Sequence, residues 1–391
     1  MLALLRRWVG MVTPGGRGLL GLIIAGWLVV GFTGLDEVRI LVAMAAICLV
    51  TGLAWLLLPQ RVDAELRLRP KRTWVGETST LEVEAVNAGR LPLWQPRVDL
   101  RVADASRTLA LPVLRPGAPY VETVLLEGTR RGVHRVGPLT SRIHDPLWLV
   151  RRDLTWAEEV VWFVRPRIVP VDTLAMGAVA DLEGMPSDQI SMSDLSFHAL
   201  REYTRGDDLR HVHWRSSAKA STLLVRQYHD TRRSHATVIV DADANAYDHV
   251  NDFELALSVG ASVVHRVAQQ DFDLTFVCGD ISADRLPSEE VLDSFCRAEF
   301  DHTGLVEAGR HAAALAPETS LLLVCTGRRR DDAVVQQALA PFPNDVRRIV
   351  LRCAKGEQPA LRGAEGIALV SIGELEQLAP LLGQVSSGAQ R

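Results

Sequence analysis

Side chains able to do acid–base or metal chemistry crowd most densely between Phe197 and Lys219. Arg201, Glu202, Tyr203, Arg205, Gly206, Asp207, Asp208, Arg210, His211, His213, Trp214 and Arg215 all fall in this stretch. Asp207, Asp208, His211 and His213 are the residue types of a metal-dependent hydrolase, because carboxylates and imidazoles hold divalent metals that activate water. Spacing weighs against that reading. Histidines two apart share a face on a strand but diverge by roughly 200° on a helix. Gly206-Asp207-Asp208 reads as a helix start, with Gly206 permitting the turn and either aspartate capping a helix that begins at Leu209. On that helix Leu209 and Trp214 anchor to a sheet, and Arg210 and Arg215 are left for ion pairs. Arg201, Arg205, Arg210, Arg215 and Lys219, beside Tyr203 and Trp214, suggest a grip on phosphate. Glu202, Asp207 and Asp208 offset that charge, and the whole chain carries −4. Nucleic acid is therefore not expected as a partner.

A second candidate lies in Asp241-Ala242-Asp243-Ala244-Asn245, directly after the apolar run Thr237–Val240. Three oxygen-bearing side chains at alternate positions on a strand-to-helix loop suit a hard cation such as Mg²⁺. Thr326, in Cys325-Thr326-Gly327-Arg328, would complete the set, whereas Arg328, Arg329 and Arg330 would oppose a nearby cation. The purely structural reading has Asp243 and Asn245 ordering the loop before Asn251 and Asp252 cap the next helix.

These loops need a scaffold, and the chain supplies one. Apolar runs at 237–240, 274–277, 321–324, 348–351 and 368–371 alternate with helical patterns such as Phe253–Val259. Strands alternating with helices predict a mostly parallel sheet covered on both faces, with ligands gathering beyond the strands' carboxyl ends. This region resembles a von Willebrand factor A domain, whose metal-adhesion loop carries Asp-x-Ser-x-Ser. Asp241 matches that pattern, while Asp243 and Asn245 stand where the family has serines.

Upstream, 61–170 alternates with period two, as in Val62–Leu68 and Thr80–Val86, and Asn87-Ala88-Gly89, Pro116-Gly117 and Gly137-Pro138 punctuate it. Short strands so spaced predict an antiparallel β-sandwich-like domain, in which Gly137-Pro138 and Asp145-Pro146-Leu147 are turns. Before Arg61, two uncharged stretches are each about the 20 residues needed to cross roughly 30 Å of hydrocarbon. Only Asp36, Glu37, Val38 and Arg39 separate them. They predict a transmembrane helical hairpin in which Gly18, Gly21, Gly26 and Gly31 let the second helix approach closely. A cleaved signal peptide lacks its small-x-small site here, and buried core helices would show a polar face. Arg6, Arg7 and Arg17 precede the hairpin, and Arg61, Arg67, Arg69, Lys71 and Arg72 follow it. That places both termini and the soluble domains on the cytoplasmic side of the inner membrane. Five scattered cysteines without a C-x-x-C pair suit a reducing compartment.

The run from Leu200 to Lys219 closely resembles the signature of the domain-of-unknown-function fifty-eight family. Its signature positions here are Arg201, Tyr203, Gly206, Asp207, Asp208, Arg210, His213, Trp214 and Arg215. The resemblance implies a multidomain α+β chain: an N-terminal segment (1–17), a membrane hairpin (18–60), a β-sandwich-like domain (61–170), a connecting segment (171–234) and a von Willebrand A-like domain (235–391). It implies no established catalytic activity. It also implies as partners a MoxR-type AAA+ ATPase and a transglutaminase-like membrane protein. The expected function is thus a non-enzymatic membrane-anchored adaptor, with the Asp207–His213 hydrolase as the alternative.

Overall fold

A computed structural model describes residues 12–56, 61–145, 147–171, 195–204, 212–220, 222–230, 234–270, 272–364 and 366–388. The chain forms two compact units, residues 1–164 and 165–391.

The first unit begins with α1 (Pro14–Thr33) and α2 (Asp36–Leu56), both long and apolar enough to cross a membrane. Thr13 caps α1, its hydroxyl accepting the Gly16 N–H at 3.1 Å, and Pro14 takes the first helical position. Gly34, in the left-handed conformation, ends α1. Leu22, Leu28, Phe32, Leu41, Ile47 and Val50 stand exposed around both helices, as is compatible with a membrane anchor. Of the four glycines expected at the helix interface, Gly26 makes the close approach. A Cβ there would sit 2.4 Å from Val42, whereas Gly18, Gly21 and Gly31 face open space.

Two antiparallel sheets follow. One joins β1 (Val62–Arg69), β3 (Thr78–Asn87) and β6 (Pro119–Glu127). The other runs β2-β9-β7-β4-β5, built from β2 (Arg72–Trp74), β4 (Arg97–Val102), β5 (Ala105–Ala110), β7 (Gly132–His144) and β9 (Val160–Arg165). Beyond this path β8 (Arg151–Ala157) pairs with β7. Alternate residues of both sheets meet in one core that includes Leu68, Leu81, Val83, Leu100, Val136, Leu139 and Trp162. Gly137-Pro138, expected as a turn, instead lies inside β7. The pairing of β7 with β4 shifts register there, and Gly137 takes φ +106°. A side chain at Gly137 would come within 2.9 Å of the Glu159 backbone, so glycine is needed at this irregularity. Asp145 and Leu147 do form the expected turn between β7 and β8.

In the second unit β10 (Leu195–Glu202) pairs with β11 (Leu224–Asp230), and α3 (Trp214–Ala220) lies between them in sequence. The rest is a seven-stranded sheet in the order β14-β13-β12-β15-β16-β18-β17. Its strands are β12 (His235–Val240), β13 (Asp273–Cys278), β14 (Ile281–Asp284), β15 (Leu321–Gly327), β16 (Arg347–Cys353), β17 (Ala360–Ala364) and β18 (Ile367–Ile372). The five apolar runs of the sequence are its parallel strands, and the edge strands β14 and β17 are antiparallel. Strands β12 and β15 are buried at every position, as expected of strands covered on both faces. Among the described residues five α-helices accompany the sheet: α4 (Val250–Ala268), α5 (Ser288–Arg297), α6 (Leu305–Leu315), α7 (Asp332–Leu339) and α8 (Leu378–Gly388).

Candidate functional site

Two neighbouring central strands bring Asp241 and Thr326 together at their carboxyl ends. Strand β12 runs straight into Asp241, which is fully buried. Beside it β15 carries Thr326, also fully buried, whose hydroxyl donates to Asp241 Oδ2 at 2.7 Å. Asp243 caps a short 3₁₀ turn by accepting the Asn245 backbone N–H at 2.9 Å and its side-chain amide at 3.0 Å. Asn245 is thereby spent on the loop. Gly327 must be glycine, because a Cβ would lie 2.0 Å from the Ala246 carbonyl oxygen.

The position that a cation would take among Asp241, Asp243 and Thr326 is filled from within the chain. Arg330, on the loop after β15, donates from Nε to Asp241 Oδ2 at 2.8 Å and from Nη2 to Asp241 Oδ1 at 2.9 Å. Nη2 also reaches Asp243 Oδ2 at 3.0 Å. This is a two-pronged guanidinium–carboxylate pair, the geometry that only arginine presents. Arg352 holds the loop by donating to the Arg330 carbonyl at 2.9 Å and pairing with Asp332. Burial works against the charge of Asp243, but the Asn245 N–H and the Arg330 guanidinium outweigh it and hold its carboxyl below the usual range. Burial likewise opposes the Arg330 charge, and Asp241 and Asp243 more than compensate, raising its pKa. Among the described residues no group of three or more His, Cys, Asp or Glu is placed to hold a metal ion.

Next to this cluster a cleft of about 330 Å³ is lined by Asp248, His249, Asp252, Arg328, Lys355 and Glu357. Arg328 pairs with Asp248 across it. The helix cap falls one step from expectation. His249 is the N-cap of α4, and Asp252 closes the box by accepting the His249 N–H at 3.1 Å. Asp252 also accepts the Lys355 N–H at 2.8 Å, tying the helix start to the turn after β16. Neither Lys355 nor Glu357 stood out in the sequence, since each is a lone charge in a Gly-containing turn. Arg330 did stand out, though as a residue opposing a cation rather than replacing one.

The signature segment is described only in part. Gly206, Asp207, Asp208, Leu209, Arg210 and His211 lie outside the described residues, as does the Arg201 side chain. The described helix starts at Trp214, and Val212 just before it bridges to Val225 of β11, so residues 212–213 do not continue a helix from Leu209. His213 acts locally, its Nδ1 accepting the Ser216 N–H at 3.2 Å in the manner of a helix N-cap. Ser217 then accepts the Leu224 N–H at 2.9 Å and so pins the helix to β11. The Tyr203 N–H donates to the Leu223 carbonyl at 2.8 Å. Trp214, expected to anchor the helix against a sheet, is instead 65% exposed, and Arg215 beside it is exposed as well.

The family model described as "Protein of unknown function DUF58" matches residues 199–296. No curated protein matches the sequence. Among solved structures, the CARDB domain of the PF1109 protein from Pyrococcus furiosus, in complex with di-metal ions, is 19% identical with a TM-score of 0.21, covering 27% of this chain and 91% of that one. The alkylpurine DNA glycosylase AlkC of Pseudomonas fluorescens is 18% identical with a TM-score of 0.20, over 32% and 38% of the two chains. A cycloisomaltooligosaccharide glucanotransferase of Paenibacillus sp. is 11% identical with a TM-score of 0.21, over 76% and 55%. Likeness at this level says nothing about function.

Proposed function

Residues 199–296 belong to the DUF58 family, and on that premise we propose that the chain is a non-enzymatic adaptor tethered to the inner membrane by α1 and α2. Its β-sandwich-like and von Willebrand A-like domains then face the cytoplasm. The carboxyl-end face of the large sheet docks a protein partner, a MoxR-type AAA+ ATPase, with a transglutaminase-like membrane protein as a further member of the assembly. One observation carries this reading. Arg330 neutralises Asp241 and Asp243 from within the chain, so the strand ends present a self-compensated polar face instead of an exposed acid or an open cation seat. Such a face, with the charged cleft of Lys355, Glu357 and Arg328 beside it, suits recognition of a protein surface.

The test is affinity isolation of the full-length chain from membranes in mild detergent, with the MoxR-type ATPase of the same cell co-expressed. The ATPase should co-purify, and Trp214→Ala or Lys355→Glu should weaken its recovery. A chain that never retains the ATPase under these conditions would refute the proposal. Calorimetry with Mg²⁺, Mn²⁺ and Zn²⁺ separates the hydrolase reading, which requires metal binding that disappears in Asp208→Ala.

A further inference from the structure

We infer that the segment Leu147–Val150, which leads into β8, is a third membrane-contacting element that seats Leu147 and Trp148 at the boundary between lipid headgroups and acyl chains. The inference rests on the reading of α1 and α2 as a membrane hairpin and goes beyond it, because it makes the β-rich domain itself part of the anchor.

The turn is fastened to the start of α1 and the end of α2. Val12 forms an antiparallel bridge with Val150, and the Thr13 N–H donates to the Leu149 carbonyl at 3.0 Å. The Thr13 hydroxyl lies 2.6 Å from the Trp148 carbonyl oxygen and 2.9 Å from that of Leu149. Gly16, in the first turn of α1, leaves no room for a side chain, since a Cβ would sit 2.1 Å from the Leu149 oxygen. In the last turns of α2, a Cβ on Gly52 would come within 3.2 Å of the Asp145 carboxylate. Gly52 precedes the end of α2 at Leu56 by four residues, or about 6 Å at 1.5 Å per residue. The turn therefore lies level with the helix ends, where a membrane hairpin meets headgroups.

The turn is also built to hold apolar side chains outward. Asp145 is buried, and its carboxylate accepts the Leu147 N–H at 3.0 Å and the Val150 N–H at 2.7 Å. Trp148 is kept at φ +57°, a conformation that a bulky residue adopts only when its surroundings impose it. Its ring stacks on His144 at 4.3 Å, yet Trp148 remains 64% exposed and Leu147 58% exposed. Exposed Arg17 and Arg151 sit in the first turn of α1 and at the start of β8. Tryptophan with flanking arginine, at the end of an apolar helix pair, is the chemistry of the lipid–water boundary, where the ring is amphipathic and cations meet anionic headgroups.

The experiment is a depth measurement on the full-length chain in vesicles of phosphatidylcholine and phosphatidylglycerol. Native Cys48, half-buried in the middle of α2, takes a spin label while the other four cysteines are buried. In a Cys48→Ser background, Leu147→Cys reports the turn, and Leu125→Cys, at an exposed position of β6, reports water. Collision with oxygen should mark position 48 as hydrocarbon. Collision with a water-soluble nickel chelate should be roughly threefold lower at 147 than at 125, as expected at the interface. Nickel access at 147 equal to that at 125, with position 48 still in lipid, overturns the inference and leaves the hairpin standing. Free nickel access at 48 as well overturns the hairpin reading and the inference with it.

Discussion

Each unit builds a loop region around a buried aspartate, and the two carboxylates are satisfied differently. Asp145 of the first unit accepts backbone N–H groups of its own turn, at Leu147 and Val150. Asp241 of the second unit accepts one N–H of its own loop, from Asp243 at 3.2 Å, but also side-chain donors from β15 and the loop after it, Thr326 and Arg330. The first arrangement fixes the turn that leads into β8. The second fixes a balance of charge between segments 85 to 89 positions apart. A carboxylate fed by neighbouring amides can be lost with local damage, whereas one matched to a distant guanidinium leaves an uncompensated charge when its partner goes.

The comparison breaks most visibly at Arg330. Arg330→Met should destabilise the second unit by about 3–5 kcal/mol, because Asp241 is left charged and fully buried. Thiol labelling is the readout. Cys278, Cys325 and Cys353 are buried in this unit, and burial pushes the Cys325 and Cys353 thiols up, which keeps them unreactive in the native state. Opening should accelerate their modification, and the double change Asp241→Asn with Arg330→Met should recover much of the loss. Labelling of Arg330→Met at the parental rate would show that the pair is not the support described.

Asp145→Ala should cost less, about 2 kcal/mol, and act locally by orphaning two N–H groups. Hydrogen exchange at Val150 should quicken while buried Trp162 keeps its fluorescence. Gly16→Val should cost about 1–2 kcal/mol by pushing the Leu149 carbonyl off α1. The matching signature is faster exchange at Thr13 without change at Gly26.

The smallest effect is one of pH. His235 is buried at the start of β12, and its Nε2 lies 2.8 Å from the Thr275 hydroxyl. The carboxylates of Asp284 and Asp273 favour protonation. Burial prevails, aided by Arg285, and holds the imidazole below its ordinary 6.5. The folded unit keeps this ring neutral while the unfolded chain takes up a proton below pH 6.5. Stability is therefore full above that value and declines as pH falls towards the folded pKa. His235→Gln should flatten this slope in urea titrations. An unchanged slope would assign it to other groups.

Much of the fold was legible because burial leaves a local trace. All five parallel strands showed as apolar runs, since a strand covered on both faces cannot alternate. The helix pair showed through length and lack of charge. The misreadings share a cause. Gly137-Pro138 carries turn residues, but pairing with β4 and β9 on either side keeps it within a strand. Trp214 looked like an anchor by its type, yet as the first residue of a short helix it remains exposed.

From residues alone came the apolar periods, and with them the helices, the strands and the two loops at which chemistry would gather. These depend on whether each residue meets water, which spacing of 2.0 or 3.6 encodes within a few positions. Tertiary structure decided the partners: that Arg330 pairs with Asp241, and that Thr13 meets the Trp148 turn. Such pairings arise where separate strands and helices end side by side, and no local period records which ends converge.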